Sequence, residues 1–271
     1  MQFIRFQSDD HTVYTGCEYE DGTARVVRGD ILTRYEVTDM RKPVVKWLTP
    51  VDPSVIYCIG LNYMPHIRET GFKVPEHPIL FMKNLGAAAA HRGEIVIPEC
   101  CETPPQVDYE AELGVIIKDT VKNADPDTAL DSVLGYTCAN DISARHWQMH
   151  GGGKQWIRGK SFDTFCPFGP WIVTPDEPVD PDNLDVACVL NGEVMQTGNT
   201  RDMIFSVSRL IAFISQSTTL FPGTLILTGT PSGVGYTREP PVFLTPGDVL
   251  ETRISGIGVL KNTVVSESTG L

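Results

Sequence analysis

The sequence predicts an α+β fold in which strands dominate, with a small β-rich N-terminal unit over residues 1–50 and a larger body over residues 51–271. Three observations carry this. Short apolar runs recur between turn signals along most of the 271 residues. Only residues 203–214 show a clear helical stripe, with Ile204, Val207, Leu210, Ile211 and Ile214 recurring at helical spacing. The regular strand–helix alternation of a doubly wound sheet is missing.

Taken in order, Phe3, Ile4 and Phe6, then Val13 and Tyr14, then residues 24–27 and 31–35 read as strands. Asp21-Gly22 is the clearest hairpin turn among them. Pro43 and Pro53 bracket a hinge into the body. Residues 55–60 form a short apolar strand. A short helix follows, with Pro65 in its first turn and Gly71 at its stop, carrying His66 and Glu69 three apart on one side. Residues 109–118 read as a strand whose parity puts Asp108, Glu110 and Glu112 on one face, opposite Tyr109, Leu113, Val115 and Ile117. A helix is predicted over 126–134, with Asp125 as its N-cap. A strand over 135–140 then leads to Asp141, and 149–160 reads as a loop. Strands are expected at 171–174, 185–191, 225–228, 249–254 and 258–265, with Asn191-Gly192 marking a hairpin.

Composition narrows the function. A hydrophobic share of 41% and a charged share of 21% describe an ordinary globular chain. A net charge of −12 argues against broad nucleic-acid binding and against an anionic membrane as partner. The seven cysteines are odd in number and scattered, with no CxxC, so reduced thiols are expected rather than disulfides or a zinc site. With no signal-peptide pattern and no apolar run near the ~18 residues of a membrane span, a cytoplasmic protein is expected. Gly159-Lys160-Ser161 lacks the upstream glycine of a phosphate loop, and Gly229, Gly233 and Gly235 have the wrong spacing for a dinucleotide site. There is no GxSxG and no HExxH.

What remains is a cluster of acids. Glu110 and Glu112 point the same way from one strand, where like charges raise each other's pKa unless a cation lies between them. Oxygen-only ligands suit a hard divalent ion. If a helix starts at Asp141, then Arg145 and Gln148 share its face at i+4 and i+7, and Arg145 can grip a substrate carboxylate with two prongs. Lys160 can add positive charge near an oxyanion.

Four blocks make the chain recognisable: Val107-Asp-Tyr-Glu-Ala-Glu-Leu-Gly-Val-Ile-Ile, Gly135-Tyr-Thr-Cys-Ala-Asn-Asp-Ile-Ser-Ala-Arg, Gly159-Lys-Ser-Phe-Asp-Thr-Phe-Cys-Pro and Leu227-Thr-Gly-Thr-Pro-Ser-Gly-Val-Gly. In this order they resemble the fumarylacetoacetate hydrolase family, over about residues 55–265, and especially its short members with only the catalytic domain and a small N-terminal extension. The resemblance implies a β-rich roll or sandwich of mixed sheets and a homodimer. It implies that Glu110, Glu112 and Asp141 bind the metal, with Mg²⁺ expected first and Mn²⁺ or Ca²⁺ as alternatives. It puts Arg145, Gln148 and Thr230 against an oxo-acid substrate, and Lys160 beside its developing charge. His66 and Glu69 match a dyad on a mobile helix that handles water in hydrolytic and decarboxylating relatives. One departure is His146, where the family often has an acid after the arginine.

The expected chemistry is metal-dependent hydrolysis of a C–C bond in an acylpyruvate-like 1,3-dicarbonyl acid through a stabilised enolate. The alternative is decarboxylation or keto–enol tautomerisation of an oxaloacetate-like oxo acid; isomerisation of an unsaturated oxo-diacid is a third outcome. A non-catalytic metal-binding scaffold would have lost part of this set, and nothing is missing here.

Overall fold

The structure, a computed structural model, describes residues 1–267; the final four residues of the body predicted over 51–271 lie outside them. It is strand-dominated and mixed, as the sequence predicts. The largest sheet starts with four antiparallel strands from the N-terminus. Gln2–Gln7 then pairs with Cys166–Val173 through Gln2–Val173 and Phe3–Ile172, so the first residues join the sheet of the body. From there the sheet continues through Val133–Asn140, Ala111–Ile117, Leu225–Leu227, Ile56–Gly60 and Ile79–Lys83. A second, five-stranded sheet runs Glu193–Asn199, Asp185–Leu190, Val249–Ile254, Gly258–Ser266 and Glu94–Ile97.

Parity explains how the N-terminal strands are anchored. Phe3 faces the main core, while Ile4 and Phe6 pack with Ala24 and Trp47 in a satellite core. Ala111–Ile117 and Val133–Asn140 are buried along their whole lengths. Strands covered on both faces read as continuous apolar runs, so a polar side chain on them is held inside the protein. Both hairpin signals form their turns, with positive φ at Asp21 and Gly22 and at Asn191 and Gly192.

Three helical expectations are corrected, each because tertiary backbone partners outcompete the local helix. No helix begins at Asp141. Instead Ser143–Ala144 bridges to Val107–Asp108, Ile142 N–H donates to Phe165 O and Arg145 N–H donates to Gln106 O. Only after that does a π-helical turn form over Trp147–Gly151, followed by one helical turn at Ile157–Lys160, where a loop was expected. The helix expected over 126–134 shrinks to a 3₁₀ turn, Ala129–Ser132, because residue 133 already begins the strand Val133–Asn140. Asp125 closes a local turn with Asp127 N–H and caps nothing. The helix predicted over 203–214 is Val207–Ser215, capped by Ser206; its expected first turn is drawn off by Asn62, whose carbonyl accepts from Ile204 N–H.

Candidate functional site

The acids of residues 108–112 are positioned by the strand that follows them and by its neighbour. Glu110 N–H donates to the Asn140 side chain, and Asp141 N–H donates to Glu110 O, so the ends of the two strands are tied and their carboxylates converge. One oxygen each of Glu110, Glu112 and Asp141 lies within 4.8 Å of the others, and all three residues are buried. Parity brought the two glutamates to one face and the family resemblance named Asp141; the fold brings all three together.

The floor is densely ion-paired. Lys160 Nζ donates to Glu110 Oε2 at 2.8 Å and to Asp141 Oδ2 at 2.7 Å. Gly159 makes that reach possible: a Cβ there would lie 2.5 Å from Gln148 N and 2.8 Å from Ala144 O. Arg145 donates from Nε to Asp108 Oδ2 at 2.8 Å, and from Nη1 to Glu110 Oε1 at 2.6 Å and Gln148 Oε1 at 2.9 Å. Its Nη2 sits 2.8 Å from Asp108 Oδ2 but out of line for a hydrogen bond, leaving a buried donor without an acceptor. The guanidinium also lies 4.4 Å from the centre of the Tyr236 ring. The two-pronged substrate grip expected of Arg145 is therefore corrected: protein acceptors hold Nε and Nη1, and only Nη2 remains.

Lys83, Asp108 and Tyr236 were not singled out as site residues from the sequence. Lys83 Nζ donates to Asp141 Oδ1 and, at 3.1 Å, to Ile142 O. Its one signal is a lysine closing the apolar strand Ile79–Lys83, and no motif marks it. Asp108 was placed on the acidic face without a role; it also accepts from Gly235 N–H and Tyr236 N–H.

Glu112 differs from its neighbours. It accepts from Gly229 N–H at 2.6 Å and, among the described residues, no cation lies within ion-pair distance. Gly229 has φ +100, and a Cβ there would lie 2.8 Å from Asn62 Cβ. Burial, then Asp141 and Glu110, push the Glu112 carboxyl well above the usual range. Burial acts the same way on Glu110, but Lys160 and Arg145 outweigh it and bring that group to about 2. With all four buried acids (Asp108, Glu110, Glu112, Asp141) ionised, as a bound cation would favour, they exceed the three buried cations (Lys83, Arg145, Lys160) by one charge. An all-oxygen set with that excess fits a hard divalent cation.

Above the floor is a cavity of about 330 Å³, lined by Glu110, Glu112, Arg145, Gln148, Lys160 and Thr230, and also by His66. Thr230 Oγ1 donates to Ala111 O and accepts from Gln196 Nε2, so its hydrogen is taken by the protein. Gln148 offers its carbonyl to Arg145, which leaves its NH₂ free for the cavity. His66, on the helix Met64–Thr70, pairs through Nδ1 with Glu69 Oε2 at 3.0 Å. Glu69 in turn accepts from Gly233 N–H and Thr237 Oγ1, both at 2.9 Å. Its carboxyl is held below the usual range because these three hydrogen bonds outweigh burial. Nδ1 being engaged, Nε2 is the nitrogen left to exchange a proton. His146 is exposed and turned from the trio, beside His150 at 5.8 Å between ring centres.

A buried carboxylate trio, a lysine across it and a histidine–glutamate pair above it define a class: a site that could hold a metal ion beside a group able to transfer protons. The family follows from comparison. Residues 55–265 match the family model described as Fumarylacetoacetate (FAA) hydrolase C-terminal, and the chain belongs to the fumarylacetoacetate hydrolase family. It is 45% identical over 249 residues to the Bos taurus protein named Oxaloacetate tautomerase FAHD2A, mitochondrial, covering 92% of this chain and 78% of that one. The Homo sapiens protein of the same name is 43% identical with the same coverage. Among solved structures, the fumarylacetoacetate hydrolase from psychrophilic Exiguobacterium antarcticum superposes with a TM-score of 0.86 at 35% identity, over 98% of this chain and 100% of that one. The 2-hydroxyhepta-2,4-diene-1,7-dioate isomerase from Mycobacterium marinum gives 0.83 at 35% identity, over 98% and 99%.

These relatives are enzymes, and enzymes of this family are generally metal-dependent. The bovine and human relatives are both named mitochondrial, which overturns the cytoplasmic expectation. Reduced cysteines could not have decided it, because they exclude oxidising compartments without choosing among reducing ones.

Proposed function

We propose that this site interconverts the keto and enol forms of a 2-oxo acid of the oxaloacetate type, in place of the C–C hydrolysis the sequence puts first. The observation that carries the proposal is the His66–Glu69 pair facing a floor whose donors suit an enolate. Tautomerisation moves one proton between C3 and the 2-oxo oxygen. A single base that takes a proton and returns it suffices, and His66 Nε2, with Nδ1 held by Glu69, is such a base. Lys160 has one N–H beyond its two carboxylate bonds and can donate it to an oxygen of the substrate. The Gln148 amide can fix the acid end. Mg²⁺ held by Glu110, Glu112 and Asp141, with Mn²⁺ or Ca²⁺ as substitutes, would supply Lewis-acid polarisation of the oxo group. The names of the bovine and human relatives support the same reaction class.

Hydrolysis of an acylpyruvate is the second reading, favoured by one observation: a 330 Å³ cavity has room for a water beside a five-carbon acid such as acetylpyruvate. Loss of the enol absorbance of oxaloacetate tests the proposal. The chain with Mg²⁺ is expected to accelerate it, and Glu112→Gln to lower that rate about 10²–10³-fold. Product masses from oxaloacetate and acetylpyruvate separate the alternatives. Cleaved acetylpyruvate with no effect on the enol would replace tautomerisation by hydrolysis, and loss of CO₂ tracking the enzyme would replace it by decarboxylation. We also propose that the chain acts as a homodimer, as family resemblance implies; light scattering of the purified chain measures this.

A further inference from the structure

The cavity has a second polar end. Beyond the floor its walls include the aromatic residues Phe72, Phe81 and Trp156, and it opens past the glycine-rich turn that carries Lys154. Three permanent cations line it. Arg145 and Lys160 are paired with floor carboxylates. Lys154 is exposed, and its ammonium has no ion pair or hydrogen bond with any described residue.

The backbone at Lys154 is unusual. Gln155 N–H donates to Gly152 O at 3.0 Å, closing a turn whose central residues, Gly153 and Lys154, have φ +61 and +69. Two positive φ values in a row are the pattern of a type I′ turn, which favours glycine, asparagine or aspartate at both positions. The chain has glycine at 151, 152 and 153 and lysine at the next left-handed position. Lys154 is one of ten described non-glycine residues with positive φ, and the one with a free cationic side chain lining the cavity. The turn is anchored on its far side by Trp156, whose ring meets Phe81 edge-on at 5.3 Å. Lys154 therefore lines the cavity on an exposed turn two residues before a ring packed on Phe81.

We propose that Lys154 is a specificity-determining residue that recognises the distal carboxylate of a 2-oxo diacid, which rests on the oxo-acid reading of this site. A diacid whose oxo-acid end lies on the floor must direct its second negative charge along walls that are otherwise largely apolar. Lys154 is the cation there not already neutralised by protein, so it favours a diacid over a monoacid of equal length.

Calorimetric titration in Mg²⁺ with 2-oxoglutarate and with 2-oxopentanoate, which differ only in a terminal carboxylate against a methyl group, tests this. The wild type is expected to bind the diacid about fivefold more tightly, the scale of a partly exposed ion pair. K154G, which relaxes the turn, should bring the ratio to about one with a melting temperature no lower than wild type, and K154R should keep the preference. No preference in the wild type, a preference surviving in K154G, or one lost in K154R would overturn the proposal. Because binding is read without turnover, failure of the tautomerase proposal shows separately, as oxaloacetate enol that the wild type does not convert.

Discussion

The floor and the rim of this cavity use the same kinds of charged side chain in opposite surroundings. On the floor, Asp108, Glu110, Glu112, Asp141, Arg145, Lys160 and Lys83 are all buried, and every cation touches at least one carboxylate. At the rim, Lys154 is unpaired, Phe72 is 54% exposed, and Glu69 holds its place through a seven-residue helix and two turn residues. Buried charges are costly unless each has its partner, so the floor is one interlocked unit whose electrostatics are set before any ligand arrives. The rim has few such constraints. It can vary in sequence and move, and discrimination between substrates is expected to reside there.

Breaking the floor should therefore damage the fold more than the rim, and breaking the rim should damage mainly the chemistry. Arg145→Ala strands Asp108 and Glu110 without their shared partner and should cost about 3–5 kcal/mol of stability in urea unfolding. A loss under about 1 kcal/mol would mean that the network is not interlocked. His66→Ala removes the base and a buried side chain that holds Glu69, so it should cost about 1–2 kcal/mol, less than Arg145→Ala, while enol turnover falls about a hundredfold. Equal damage to stability from both variants would erase the distinction between floor and rim. The smallest effect is pH-dependent. The Glu69 carboxyl lies below its ordinary 4.5 in the folded chain, so the unfolded state binds the proton more readily. Its contribution is full above about pH 4.5 and fades as the pH falls through the folded-state value. Hydrogen exchange of the helix Met64–Thr70 should rise over that acid range before the floor strands respond. Simultaneous exchange of both would place Glu69 in the same cooperative unit as the floor.

The sequence by itself determined the strand-dominated class, both type I′ hairpins, the same-face pair Glu110 and Glu112, and the His66–Glu69 spacing. Each follows from a period or a turn rule acting over a few residues, which neighbours in the chain can enforce alone. The four blocks added the family and put Asp141 with the two glutamates as a trio that could hold a metal ion. Tertiary structure decided what depends on partners far along the chain. Backbone bonds from Gln106 and Phe165 replaced the helix predicted at Asp141, so Arg145 and Gln148 came to the site by another route than helical spacing. Asp108 and Glu110 took two prongs of Arg145, and Lys83 joined Asp141 across 58 residues of sequence with no local pattern to announce it. Among the described residues, Glu112 alone of these acids has no cation beside it, a result of how all these partners are placed. No window of sequence contains that placement, because burial and pairing exist only once the strands are assembled.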